Sequence, residues 1–178
     1  MSEKDIEEGK AVIASAGAII WRRDCCGKIK ILAGRRKNEP WAGYLMVVFG
    51  GLVDPKDANT EDAALREAAE ETGVKFKRGE ALLIGQYGPT AFHRKLAVGE
   101  NGRIISHPTP YDISDKYKFV MTVYAVEHTK GRPKKNAEVD SFFFVDPVGL
   151  ARNRIDLAFD QALALEDFCS KFKITATE

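Results

Sequence analysis

Thr60-Glu61-Asp62-Ala63-Ala64-Leu65-Arg66-Glu67-Ala68-Ala69-Glu70-Glu71-Thr72-Gly73 is the stretch that decides the fold. It predicts a helix over 60–72. Asn59 or Thr60 serves as N-cap, Glu61 and Asp62 sit in the first turn where the helix dipole favours acids, and Gly73 stops the last turn. At about 100° per residue, Leu65, Ala68, Ala69 and Thr72 fall on one side and Glu67, Glu70 and Glu71 on the other. One face packs and the other is a triangle of carboxylates. Like charges at these spacings repel by about 0.2–0.5 kcal/mol per solvated pair, and by more where water is excluded. A cation removes that cost. Oxygen-only ligands on a rigid helix suit Mg²⁺ or Mn²⁺, which complete their shells with water and substrate phosphates. Taken alone, Glu-x-x-Glu-Glu is more often a solvated acidic face.

The residues before the helix shift that balance toward a metal. Leu45 to Phe49 reads as a buried strand stopped by Gly50-Gly51, and a loop with Asp54, Pro55 and Asp57 leads into the helix. Two glycines there let backbone carbonyls and phosphate oxygens approach without a Cβ in the way. Arg66, beside the triangle, can anchor a glutamate and hold its rotamer. The plainer reading of Arg66 is a surface ion pair.

Further out, Ala11 to Trp21 and Ile29 to Ala33 are apolar, β-branched runs separated by the turn-rich Arg22 to Lys28, which predicts a β-hairpin. Ala81 to Tyr87, Phe119 to Val126 and Val139 to Val145 read as strands. Ile155 to Phe172 reads as a closing helix, with Leu157, Ala158, Gln161, Ala162, Leu165, Phe168 and Phe172 at helical spacing. The fold class is α+β, a mixed sheet packed between helices. A flexible arm over 1–10 precedes a single domain over 11–178. Within it, 88–118 holds Glu100-Asn101-Gly102 between two short apolar runs, the pattern of an inserted hairpin or lid, or else of a surface loop.

The 178 residues, 44% of them hydrophobic, suffice for one buried core. With 27 basic against 26 acidic residues the net charge is +1. That excludes the strongly basic surface of non-specific nucleic-acid binding, so the expected partner is a small nucleotide and no extended nucleic acid. The apolar runs fall short of the ~20 residues of a membrane span, and no apolar signal-type segment follows the charged N-terminus. No membrane and a cytoplasmic location are expected. Cys25-Cys26 and Cys169 make a poor disulfide framework, and His93, His107 and His128 are too scattered for zinc.

The helix and its approach resemble the Nudix hydrolases, whose box runs Gly, five residues, Glu, seven residues, Arg-Glu, apolar, any, Glu-Glu, any, Gly, apolar. This chain supplies Gly51 and then Arg66-Glu67-Ala68-Ala69-Glu70-Glu71-Thr72-Gly73-Val74. The resemblance implies an α/β/α sandwich and Mg²⁺- or Mn²⁺-dependent hydrolysis of the diphosphate linkage in a nucleoside diphosphate derivative. It implies Glu70 and Glu71 as principal metal ligands, Glu67 as a ligand or the general base, Arg66 as the residue that orients them, and the Gly50 carbonyl as a further metal contact. Three departures stand out. Phe49 replaces a proline common before the glycines, Asp57 replaces the first glutamate, and eight residues rather than seven separate it from Arg66. In Asn136-Ala137-Glu138-Val139-Asp140, Glu138 lies where family members often place another catalytic or metal-binding acid. Its other reading is an ordinary loop acid.

Arg35 to Tyr44 resembles the segment before the box in ADP-ribose and nucleotide-sugar members, whereas the Asp54 to Asp57 loop is similar to that of coenzyme A pyrophosphatases. ADP-ribose or a nucleotide sugar is the preferred substrate. The alternatives are coenzyme A or a dinucleotide, a nucleoside triphosphate, or a non-catalytic module that senses a nucleotide. Arg35, Arg36, Arg94 and Arg103 are candidates for phosphate contacts, and Trp41, Tyr87, Phe92 or Tyr111 for stacking on a base. A homodimer is the alternative use of 88–118.

Overall fold

Alternation along the first strand sets the two faces of the molecule. In the computed structural model, which describes residues 12–38, 41–90, 97–98, 104–106, 118–152, 157–158 and 161–175, β1 (Val12–Arg23) sends Ala16, Ala18 and Ile20 to one layer and Ile19 and Trp21 to the other. Successive strand side chains point to opposite faces, so both sides of β1 are core. The strands that follow are β2 (Ile29–Arg36), β3 (Leu45–Met46) and β4 (Val48–Leu52), then helix α1 (Thr60–Thr72), β5 (Leu82–Thr90), β6 (Ala97–Val98) and β7 (Ile104–Ser106). The chain continues through β8 (Lys118–Glu127), β9 (Val139–Val145), α2 (Pro147–Arg152) and α3 (Ala162–Lys171).

Three partners meet β1. It forms the expected hairpin with β2, pairing Trp21 with Ile31, and runs antiparallel to β4 with Gly17 opposite Gly50. It also runs parallel to β8 from Val12↔Lys118 to Trp21↔Glu127. β5 pairs with β8, and β3 and β9 pair with β2, completing a seven-stranded mixed sheet. β6 and β7 form a separate antiparallel pair. On one face α1 sets Leu65 and Ala68 against Ala18, Ile20, Leu32 and Phe49, and Ala63 and Ala64 against Ala16. On the other, Leu165 and Phe168 of α3 join Ile19, Ile31, Val47 and Val123. The result is a mixed sheet between helical layers.

Local chemistry fixes α1. The Asn59 side chain accepts from the Asp62 N–H at 2.9 Å, and Gly73 adopts φ 71° while donating to the Ala69 carbonyl at 2.8 Å. A left-handed residue there is the common glycine stop.

The closing helix needs correction. It begins at Ala162, not at 155. Leu157 bridges to Leu45, and the Ala158 N–H donates to the Leu45 carbonyl at 2.7 Å, so this stretch runs beside β3. Its apolar residues fill the core from non-helical backbone. Gln161, 7% exposed, then latches the step between β3 and β4. Its Oε1 accepts from Val47 and Val48 N–H at 2.7 and 3.0 Å, and its Nε2 donates to the Val48 carbonyl at 3.1 Å. The expected arm over 1–10 and most of 88–118 lie outside the described residues. Among the described residues no helix is long and apolar enough to cross a membrane, and the three cysteines are free.

Candidate active site

Gly50 and Gly51 do not stop the strand as expected: both lie within β4, opposite Gly17 and Ala16 of β1, where they face the outer side of α1, and the two are needed for different reasons. A Cβ on Gly50 would press into the Ala16 carbonyl oxygen and the Gly17 backbone, because β1 and β4 touch there. A Cβ on Gly51 would lie 2.6 Å from the carboxyl carbon of Glu67. Gly50 therefore lets two strands close, and Gly51 leaves room for a carboxylate.

Arg66 organises the near side of the cluster. Its Nε and Nη2 donate to the two oxygens of Asp57 at 3.0 and 2.9 Å, and Nη2 also donates to the Leu52 carbonyl at 3.0 Å. Nη1 donates to Glu67 at 2.7 Å and reaches Glu70 at 3.5 Å. A planar fork with two parallel bonds to one carboxylate is the strong form of this contact. The Asp57 carboxylate is only 5% exposed. Arg66, with help from the Asp54 N–H at 2.8 Å, holds its pKa down to about 2 against the opposing effect of burial. Asp57 in turn, followed by Glu67, raises Arg66 further. The extra residue in the loop leaves Asp57 as the main partner of Arg66.

Glu71 occupies the far side. Its Oε2 is closed off from solvent and has no hydrogen-bond partner among the described residues. Burial, reinforced by Glu138 and then Glu67, pushes its carboxyl up to about 8, against the opposing pull of Arg36 and a hydrogen bond from the Gly50 N–H. Glu138 arrives on a loop tied to the end of α1, with Lys134 N–H donating to the Thr72 carbonyl at 2.9 Å. The Glu138 carbonyl accepts from Lys37 N–H at 2.7 Å, which ties the loop to the end of β2 as well. Glu70 is open to solvent at 61%.

Thus Gly50, Glu67 and Glu138 lie about Glu71 with Arg36 beside them, while Arg66 joins Glu67 to the more outlying Glu70. Arg35 is exposed, and its Nη1 donates to the Gly43 carbonyl at 2.9 Å. Trp41 is buried, edge-on to Tyr44 at 5.5 Å. The Tyr87 hydroxyl donates to Asp167 at 2.7 Å. Arg94, Arg103, Phe92 and Tyr111 lie outside the described residues. Sequence reasoning overlooked Asn136, whose side chain donates to the Glu71 carbonyl. Its place two residues before Glu138 was the only signal.

Among the described residues no three acidic, His or Cys side chains are drawn together in metal-ligand geometry. Glu67 leans on Arg66 and Glu70 points outward. The donor set nevertheless fits a hard divalent cation. A buried carboxylate oxygen without a proton donor, pressed by two further acids, is relieved by a positive charge supplied from solution.

A family model described as NUDIX domain matches residues 13–168. The chain belongs to the Nudix hydrolases. Solved structures share its fold. The NUDIX domain of Shewanella oneidensis NrtR complexed with ADP ribose is 18% identical, with a TM-score of 0.62 over 97% of this chain and 99% of that one. NrtR complexed with a 27mer DNA is 16% identical, TM-score 0.54, over 89% of this chain and 61% of that one. A MutT NUDIX hydrolase from Burkholderia pseudomallei is 23% identical, TM-score 0.58, over 88% and 98%. A C. elegans Ap4A hydrolase in a binary complex is 15% identical, TM-score 0.55, over 90% and 98%. No curated protein matches the sequence. At these identities the solved structures share the fold alone.

Proposed function

We propose that this Nudix protein hydrolyses the diphosphate linkage of a nucleoside diphosphate derivative, ADP-ribose or a nucleotide sugar, with Mg²⁺ or Mn²⁺. The observation that carries the reading is the buried, unpartnered Oε2 of Glu71 beside Glu138 and Glu67. In metal-free protein that arrangement is costly, and it is hard to account for unless a cation joins it.

Glu67, Glu70, Glu71 and the Gly50 carbonyl would hold the metal, which supplies charge neutralisation on the phosphates and a more acidic water. Arg66, itself fixed by Asp57, keeps the Glu67 carboxylate over Gly51. Glu138 or Glu67 takes a proton from the attacking water, one phosphorus–oxygen bond of the bridge breaks, and a nucleoside monophosphate leaves with the phosphorylated remainder. Arg36 and Arg35, on the strand beside the cluster, would meet the outer phosphate, and Arg94 stays a candidate for the rest of the substrate. A small nucleotide is the partner, a homodimer is compatible with the site, and the cytoplasm suits such a substrate.

The test is a substrate panel with Mg²⁺ or Mn²⁺ covering ADP-ribose, nucleotide sugars, coenzyme A, dinucleotides and triphosphates, with products identified. Glu70→Gln should lose most of the rate, about 100-fold or more. Equal turnover by wild type and Glu70→Gln sinks the assigned site. Tight binding of a nucleotide with no product under either metal would instead make the chain a sensor.

A further inference from the structure

We propose that Asn136 is a positioning residue of the active site, whose side-chain amide clamps the 134–139 loop to the last turn of α1 and so sets Glu138 against Glu71. The inference rests on the reading of Glu71 and Glu138 as parts of the metal-dependent site.

Both ends of the amide are used. Nδ2 donates to the main-chain carbonyl of Glu71. Oδ1 accepts from the backbone N–H groups of Glu138 and Val139, each at 2.8 Å. The partners are a carbonyl on one side and two N–H groups on the other, so the amide fits in one orientation only. The carbonyls of a helix's last turn lack intrahelical partners. At this end the Ala69 carbonyl is taken by Gly73, the Thr72 carbonyl by Lys134, and the Glu71 carbonyl by Asn136. A loop residue thereby completes the helix that bears the carboxylates.

The same residue is held from the other side. Lys37, just past β2, donates from Nζ to the Asn136 carbonyl at 2.8 Å, and its backbone N–H meets the Glu138 carbonyl at 2.7 Å. The loop is thus pinned between β2 and α1 at the two residues that flank Ala137. Glu138 itself is an exposed side chain, and without the clamp its carboxylate has no reason to remain near Glu71. An aspartate in place of Asn136 keeps the acceptor for the two N–H groups. It loses the donor and sets a negative charge against the Glu71 carbonyl and the neighbouring acids.

The experiment compares full-length wild type, Asn136→Ala, Asn136→Asp, Glu138→Gln and Asn136→Ala/Glu138→Gln. It reads kcat and KM on the best substrate of the panel, and Mn²⁺ affinity from the free-ion electron paramagnetic resonance signal. Asn136→Ala should lower kcat and weaken Mn²⁺ binding by about 10–100-fold, as loss of an outer-shell partner does, with KM nearly unchanged. In the Glu138→Gln background the same change should cost little more, because the two residues act as one unit. Asn136→Asp should fall with Asn136→Ala, and it carries the test if the alanine variant does not fold.

Wild-type kcat and Mn²⁺ affinity in both Asn136 variants overturn the proposal. So does a full additional loss on top of Glu138→Gln. If no substrate is turned over, the hydrolase reading fails while the clamp is still decided by Mn²⁺ affinity. If Glu138→Gln alone behaves as wild type in both assays, Glu138 has no role for the clamp to serve, and the proposal falls with it.

Discussion

Replacing Glu71 by glutamine should make the metal-free protein more stable at alkaline pH while abolishing its response to metal. Unfolded, this carboxyl titrates near 4.5, and folded, near about 8. Between those values the unfolded chain holds fewer protons than the folded one, so metal-free stability falls as the pH rises, and the full cost is reached above the folded value. At about 1.4 kcal/mol per pH unit the shift sets a ceiling of roughly 5 kcal/mol. Water entry and movement of Glu71 away from Glu138 would leave about 1–2 kcal/mol of it. For a domain of this size that is about 2–8 °C in Tm. The assay is thermal melting of wild type and Glu71→Gln in EDTA from pH 5 to 8.5, repeated with millimolar Mg²⁺. The wild type should lose stability across that range relative to the variant and regain it with Mg²⁺. The variant should do neither. Parallel pH curves for the two proteins, or equal Mg²⁺ stabilisation, would refute the account of the buried oxygen.

The two glycines of β4 should respond in opposite ways. Gly51→Ala displaces only the flexible end of Glu67, so Tm should change by under about 2 °C while hydrolysis drops about 100-fold. Gly50→Ala meets backbone on β1 and should cost about 3 kcal/mol in urea denaturation. Similar stability losses in both would contradict the geometry. Gln161→Leu strands the Val47 and Val48 N–H groups and the Val48 carbonyl, and should cost about 2–4 kcal/mol. A loss below about 0.5 kcal/mol would show that water replaces the latch.

What was legible in the sequence was local. Asn59 and Gly73 announce the ends of α1 because capping is settled within a few residues, and the alternation of β1 and β2 around Asp24 to Lys28 suffices for a hairpin. The carboxylate face followed from periodicity alone. What escaped depends on residues far apart in the chain. Leu157, Ala158 and Gln161 match a helical period, yet their backbone answers to Leu45, Val47 and Val48. Asp57 looked compromised by spacing, but two bonds to Arg66 form through space and tolerate a longer loop. Trp41 suggested a stacking surface until packing against Tyr44 buried it. The approach of Glu138 to Glu71 runs through Asn136, whose side-chain partners no periodicity reveals.

The parallel pairing of β1 with β8 also governs how the chain reaches its native state. Val12 lies beside Lys118, and everything that builds α1 and the glycine pair of β4 is strung between them. A contact of such sequence separation forms late, because the entropy of closing the loop is spent before the strands reward it. On the ribosome the first strand therefore waits with one edge unpaired until the eighth has emerged. β2 and β4 occupy the opposite edge, so this one is where a nascent chain is most exposed to wrong pairing.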